Sequence, residues 1–445
     1  MPRPSSCSTV EIDVGTEMER VPAPPEPDTP FRILIAGDFS GRKNRGVFEP
    51  GIRRRALEID RENFDLVLDG LHPELRLPAA VSFRELKDFE PDRLFDRVDF
   101  LRSLRRTAAA AAADPQPPDD DPGYAQELEE TGMVEPLPGP RQAELDARAE
   151  AATGAQMREL LHDPDFQALE AAWRSLDFLL RRLETGPALK VYIFDVTKEE
   201  LAAELKEAAD PRATDLYRML VRDTVETPGA EPWAVWAGNF TFDGGIDDLM
   251  LLGSIGGIAR AAGAPFLAAT SPRLAGCGSF AGPLPDSVPP PGALWQAFRC
   301  LSEAAWLGLA LPRFLLRMPY GAGTCPIERF EFEEMPDGGE HEAYLWGNPA
   351  FACLCLLGQA FMQSGWRLRP GAIRDIEGLP AHVYDLGGEP QLKPCAETLL
   401  TEAFAERLLE RGLMPLLSLT GRDAVRVMRF QSLADPPAPL AGRWR

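Results

Sequence analysis

The chain has 445 residues, enough for two or three domains around a substantial core. Its formal net charge of -22 and pI near 4.7 exclude nucleic acid as a natural partner, because phosphates would be repelled, and disfavour anionic membranes for the same reason. A partner with a basic face fits that acidity; bare solubility is the other explanation.

In chain order, residues 9–14 alternate polar and apolar, with Val10, Ile12 and Val14 on one face of a predicted strand. A proline-rich tether over 21–30 follows and breaks regular structure. An isolated strand on a stiff leash either adds to the sheet of a neighbour or folds back on its own domain. Residues 31–36 form a predicted buried strand, closed by the turn Gly37-Asp38-Phe39-Ser40-Gly41. A strand at 56–59, a helix at 62–70 and a helix from Pro91, with Leu94, Val98 and Leu101 on one face, complete a first domain over 31–110. Residues 108–122 are rich in alanine, proline and aspartate, and the chain stays polar and aperiodic to about 155. The stretch 111–155 therefore reads as an acidic flexible linker. Its roughly 40 residues give a root-mean-square span of about 35 Å, compatible with pairing of the flanking domains within one chain or between neighbours.

The remainder, 156–445, reads as α/β. Asp163 can cap a helix and Pro164 suits its first position. Phe166, Leu169, Trp173, Leu176, Leu180 and Leu183 then draw one apolar stripe at alternating spacings of three and four. A strand at 189–196 leads to a helix opened by Thr197 and Glu200 in capping-box spacing. Helices at 214–224 and 246–262 alternate with strands at 233–238 and 265–269, a pattern of a largely parallel or mixed sheet under helices. An exposed loop at 283–291, a helix at 293–309, a strand at 314–317 and a buried helix near 350–362 follow. The segment 397–411 is amphipathic: Leu399, Leu400, Phe404 and Leu408 face one way, while Glu402, Glu406 and Glu410 form an acidic stripe bordered by Arg407 and Arg411. Strands at 412–417 and around Val425, Val427 and Phe430 end the series.

Chemical signatures are sparse. Gly253, Gly256 and Gly257 lie in a helical pattern without phosphate-loop spacing, and suit close helix packing instead. His72, His162, His341 and His382 are far apart, and His341-Glu342 lacks the second histidine of a helical zinc motif. Cys353 and Cys355 read as small buried hydrophobes. Ser254, Ser271 and Ser279 have no neighbouring base in sequence, although triads assemble in space. Asp38, in a glycine-bounded turn, is expected to bond the local backbone. No catalytic residue, metal or cofactor is expected. The first 14 residues lack a basic-flanked apolar core, no run reaches the roughly 18 apolar residues that span a bilayer, and seven scattered cysteines suit reduced thiols. A cytoplasmic protein is the expectation.

The phrases from His162 to Leu176 and Leu189-Lys190-Val191 resemble the large subunit of the contractile sheath of bacterial type VI secretion systems (TssC/VipB-like). So do Gly238 to Asp243, Ala264-Pro265-Phe266, Leu311-Pro312-Arg313, Leu315 to Gly321, Phe332-Glu333-Glu334 and Tyr344 to Asn348, in the family's order. Gly37 to Gly41, Ile59 to Asp65 and Phe83 to Pro91 resemble the small subunit (TssB/VipA-like). The two subunits, separate chains in the family, would here be fused. The resemblance implies a mixed-sheet sheath core with terminal strands that pair between protomers. Val10, Ile12 and Val14, or Val425, Val427 and Phe430, would supply them. It also implies a structural, non-enzymatic role as a homopolymer around an inner tube protein, seeded on baseplate proteins, with the acidic stripe and Arg407 and Arg411 turned to the tube. Ala125 to Glu130 only partly matches the family's helix for a recycling AAA+ unfoldase, so that partner stays open. A non-contractile sheath-fold scaffold is the alternative.

Overall fold

Phe31, Ile33 and Ile35 face one side of a strand, Leu34 and Ala36 the other, and all five are fully buried. A strand covered on both faces belongs inside a sheet between two helix layers. The computed structural model has that arrangement; it describes residues 25–50, 54–77, 79–98, 101, 140–285, 288–336 and 340–444. Val10, Ile12 and Val14 lie outside the described residues.

The strands of the first segment are β1 (Phe31–Gly37), β2 (Leu57–Ile59), β3 (Glu74–Leu77) and β4 (Ala79–Ser82). Next come β5 (Leu189–Asp195), β6 (Val235–Phe242), β7 (Phe266–Thr270), β8 (Leu307–Leu311), β9 (Phe314–Leu315) and β10 (Trp346–Gly347). The last are β11 (Asp375–Ile376), β12 (Val383–Leu386), β13 (Glu389–Leu392), β14 (Leu413–Ser418) and β15 (Val425–Val427). Nine form one sheet in the order β11-β15-β14-β8-β7-β6-β1-β5-β2. The six from β14 to β5 run parallel, and the outer strands pair antiparallel. The expected mixed sheet is present.

The strand of the first segment sits inside the sheet of the second. β1 pairs with β5 from Phe31 opposite Leu189 to Gly37 opposite Asp195, and with β6 from Ile33 opposite Val235 to Ala36 opposite Gly238. One face of the sheet is covered by α1 (Phe64–Leu71), α2 (Pro91–Arg97), the last turns of α3 (Pro140–Leu161), α4 (Pro164–Arg182) and, near the chain's end, Pro349–Ser364. The other carries α5 (Lys198–Glu207), α6 (Ile246–Ala262), α7 (Ala293–Arg299) and Glu402–Glu410. The last two helices in chain order are α8 (Pro349–Ser364) and α9 (Glu402–Glu410). Asp163 caps α4 by accepting from the amides of Asp165 and Phe166, and the Thr197–Glu200 capping box of α5 is complete. The whole stripe from Phe166 to Leu183 is buried.

Four stretches differ from expectation. Residues 293–309 are not one helix: α7 stops at Arg299, a 3-10 turn covers Ser302–Trp306, and β8 follows. A short apolar run such as Leu307–Leu311 has no period that separates a buried strand from a buried helix. Residues 140–155, read as linker, belong to the 22-residue α3. Its apolar face is confined to the last turns, where Thr153, Met157, Leu160 and Leu161 are buried, so the pattern is too short to announce itself. The helix expected over 214–224 is a turn at Asp215–Tyr217 running into a π-turn at Arg218–Arg222. α9 begins at Glu402, capped by Thr401, rather than at Glu397.

Candidate assembly surfaces

Two buried charge clusters brace the fold, and the first joins the two segments. Asp195, at the end of β5, accepts from the amides of Phe39 and Ser40 at 2.8 and 3.2 Å and from the Ser40 hydroxyl at 2.8 Å. Burial raises the Asp195 carboxyl, and these bonds oppose that rise. Beside it Glu200, on α5, receives Arg42 at 2.9 Å and Arg54 at 2.8 Å. Burial resists its ionisation, yet the bonds from Arg42, from the amides of Thr197 and Glu49 and from Arg54 hold it down at about 2. Trp173, on α4, donates its indole N–H to the carbonyl of Phe39 at 2.9 Å. Farther off, the Asp92 carboxylate accepts from the amides of Glu328 and Arg329 at 3.0 Å. The second cluster lies within the larger segment. Arg317 is flanked by Glu170 at 2.9 Å and Glu334 at 2.7 Å, and Arg174 also grips Glu170 at 2.6 Å. Residue-level reading missed both clusters. Their signal was indirect: Phe39, Ser40, Glu170, Arg174, Arg317 and Glu334 fall inside the quoted family phrases, and Glu200 in the capping box.

On the outer helix layer, Phe404 and Leu408 of α9 are buried, whereas Glu402, Glu406 and Glu410 are exposed along one face. Arg407 is half-buried beside the Phe404 ring. Two expected members of this face are elsewhere. Arg411 is only 7% exposed, donating to the carbonyls of Leu274 and Pro289, and so braces distant loops instead of bordering the stripe. Leu399 is exposed, not on the apolar face, because it precedes the helix. Glu397 is buried as well, receiving Arg313 at 2.6 Å with His341 at 3.2 Å.

Val425 and Val427 sit in β15, paired with β14 on one edge and β11 on the other, and Phe430 is buried. The backbone groups that would join another protomer's sheet are thus engaged within the chain.

The groups weighed for chemistry have structural surroundings. Asp38 accepts from the amides of Arg42 and Lys43 at 2.8 and 2.9 Å, as its turn suggests. A Cβ at Gly256 would lie 2.9 Å from the Glu303 Cβ, which makes that glycine a close-packing residue. Burial pushes the Cys353 and Cys355 thiols up to about 12. His382 meets the Tyr344 hydroxyl at 2.7 Å, and the Ser254 hydroxyl donates to the carbonyl of Met250. A cleft of about 350 Å³ opens at the ends of β1, β5 and β6, where α/β sheets often bind ligands. Its polar groups already serve one another: Lys198 holds Asp248 and the Thr241 carbonyl, and Asn44 donates to Asp165. No helix among the described residues is long and apolar enough to cross a membrane.

A mixed sheet shared by two segments of one chain, with helices over both faces, defines an α/β protein whose buried charges brace the fold. The family model VipB (EvpB/VC_A0108, tail sheath N-terminal domain) matches residues 143–434, and the model "Type VI secretion system, VipA, VC_A0107 or Hcp2" matches 10–130. The chain belongs to the type VI secretion sheath family, with its small-subunit and large-subunit parts in one polypeptide. Among curated proteins, the type VI secretion system sheath protein TssC1 of Pseudomonas aeruginosa strain PAO1 is 33% identical over 303 residues, 65% of this chain and 61% of the relative. The match thus spans less than two thirds of that relative's length.

Proposed function

We propose that this polypeptide is the repeating unit of a contractile sheath, assembling in the cytoplasm as a helical homopolymer around an inner tube and contracting to drive that tube forward. The observation that carries the reading is the shared sheet. With β1 between β5 and β6, the two segments share one sheet within this chain. The exposed Glu402, Glu406 and Glu410 face supports a tube with basic residues opposite it. Exposed ion pairs are worth about 0.2–1 kcal/mol each, weak enough to release one by one and strong enough to hold when repeated. Val10, Ile12 and Val14 would add a strand to a neighbouring protomer, and baseplate proteins would seed growth. The role is mechanical rather than enzymatic: work comes from strain and unmade contacts laid down at assembly.

Negative-stain microscopy of the purified full chain tests this. Hollow tubes or long helical filaments are expected; discrete small oligomers would instead indicate a non-contractile scaffold with a sheath fold.

A further inference from the structure

We propose that His341 and Lys393 form an acid-released clasp at the base of the β12–β13 hairpin, a device that stands apart from the sheath reading. The hairpin depends on its base for its place on the body. It is a two-stranded sheet of its own, without strand pairing to any other strand among the described residues, and β13 is exposed along its whole length. Two side chains at the base reach the segment 341–346. His382, just before β12, meets the Tyr344 hydroxyl at 2.7 Å. Lys393, half-buried just after β13, brings its Nζ to 3.3 Å from His341 Nδ1, with the Tyr344 and Trp346 rings centred 4.9 and 5.3 Å away. The Lys393 amide also donates to the carbonyl of His382 at 2.7 Å, so the two base residues are tied together.

The partners of His341 assign its hydrogens. Its Nε2 lies 3.2 Å from Glu397 Oε1, and an ionised carboxylate only accepts, so Nε2 carries a hydrogen. Its Nδ1 faces an ammonium, which only donates, so Nδ1 presents a lone pair. The imidazole is therefore neutral in this arrangement, and one bridging proton lies between Nδ1 and Nζ. A second proton leaves two donors facing each other with no acceptor between them, and two like charges in close contact. The charged groups around the ring do not relieve that conflict. Burial resists ionisation of Glu397, yet the bonds from His341 and Arg313 hold it at about 2, so it is already ionised and already engaged at Nε2. Glu342, on the same turn as His341, lies 3.6 Å from Arg313. Burial lowers the Lys393 ammonium, and Glu397 and Glu342 oppose that. The contact of His382 with Tyr344 responds differently: a hydroxyl both donates and accepts, so a protonated imidazole reverses the bond and keeps it. Imidazole is the side chain that gains charge between about pH 8 and 5. Over that range the Lys393 side of the base lets go, and the ribbon is freed without opening the nine-stranded sheet.

Hydrogen-exchange mass spectrometry of the full chain at pH 7.5 and 5.5, corrected for the intrinsic pH dependence of exchange, tests the clasp. Protection of 383–392 should fall about tenfold or more at pH 5.5, while β1, β5 and β6 stay protected. His341→Gln keeps a donor and an acceptor without a titratable group. Lys393→Met removes the facing cation and keeps the packing on Tyr344 and Trp346, and it decides the matter should His341→Gln fail to fold. In both, hairpin protection should be the same at the two pH values; His382→Gln should keep the wild-type response. A wild-type hairpin equally protected at both pH values, a loss in acid that persists in Lys393→Met, or a response that vanishes only in His382→Gln would overturn the clasp. None of these results touches the sheath reading, which filament formation decides.

Discussion

Arg317 shows how a buried charge is tolerated here. Its guanidinium bridges Glu170 and Glu334, whose side chains are wholly shielded from solvent. Removing it by Arg317→Met would deprive buried Glu334 of its guanidinium and leave Glu170 to Arg174 alone, and breaking such a buried pair costs about 3–5 kcal/mol. Equilibrium urea unfolding should show that loss. Acid should act on the same groups. Burial resists ionisation of Glu334, Glu200 and Glu397, but Arg317, Arg42 and Arg54, and His341 and Arg313 respectively, hold all three near 2 when folded. A carboxyl depressed by folding contributes stability above its unfolded value of about 4.3, and that contribution is lost as pH falls toward the folded value. Unfolding free energy should therefore be flat from about pH 7 to 5 and drop steeply between roughly 4.5 and 2. A flat profile across that window would contradict the ion-pair geometry. Sequence gave little warning of these clusters, because Glu170 and Arg317 meet only through the fold and nothing in their spacing marks them as partners.

At the scale of the element, α9 separates what spacing reveals from what it hides. Glutamates recurring every four residues put the acidic stripe on one face, and that face is exposed as the period requires. The fate of Arg411 was hidden, since Leu274 and Pro289, which it braces, lie more than a hundred residues upstream. β8 was misread as helix for a related reason: its environment, not its own pattern, makes it a strand. Two variants separate stability from the proposed tube contact. Thr401→Ala removes the cap on the Phe404 amide, should lower stability by about 1 kcal/mol in thermal unfolding, and should leave tube binding alone. Glu402, Glu406 and Glu410 all changed to lysine should leave the melting temperature nearly unchanged and abolish co-sedimentation of tube protein with the sheath. Retained co-sedimentation would remove this face from the contact.

For the molecule as a whole, the decisive fact is that 31–101 and 140–444 are two parts of one core. A protease site placed between Pro118 and Asp119 should, after cleavage, give fragments that co-elute at the size of the intact chain and part only in denaturant. Fragments that separate under native conditions would refute the shared sheet. Deleting residues 1–20 should leave that core folded but prevent polymerisation, if Val10, Ile12 and Val14 bridge protomers. The central position of β1 also constrains how the protein is born. Its second neighbour, β6, is translated roughly 200 residues later, and at about 5–20 residues per second the wait is roughly 10–40 s. Through that interval the nascent chain bears a strand with an unclaimed flank, a hazard for aggregation on the ribosome. Joining both halves in one reading frame guarantees that the missing partner emerges from the same exit tunnel, in equal dose, without a search through the cell.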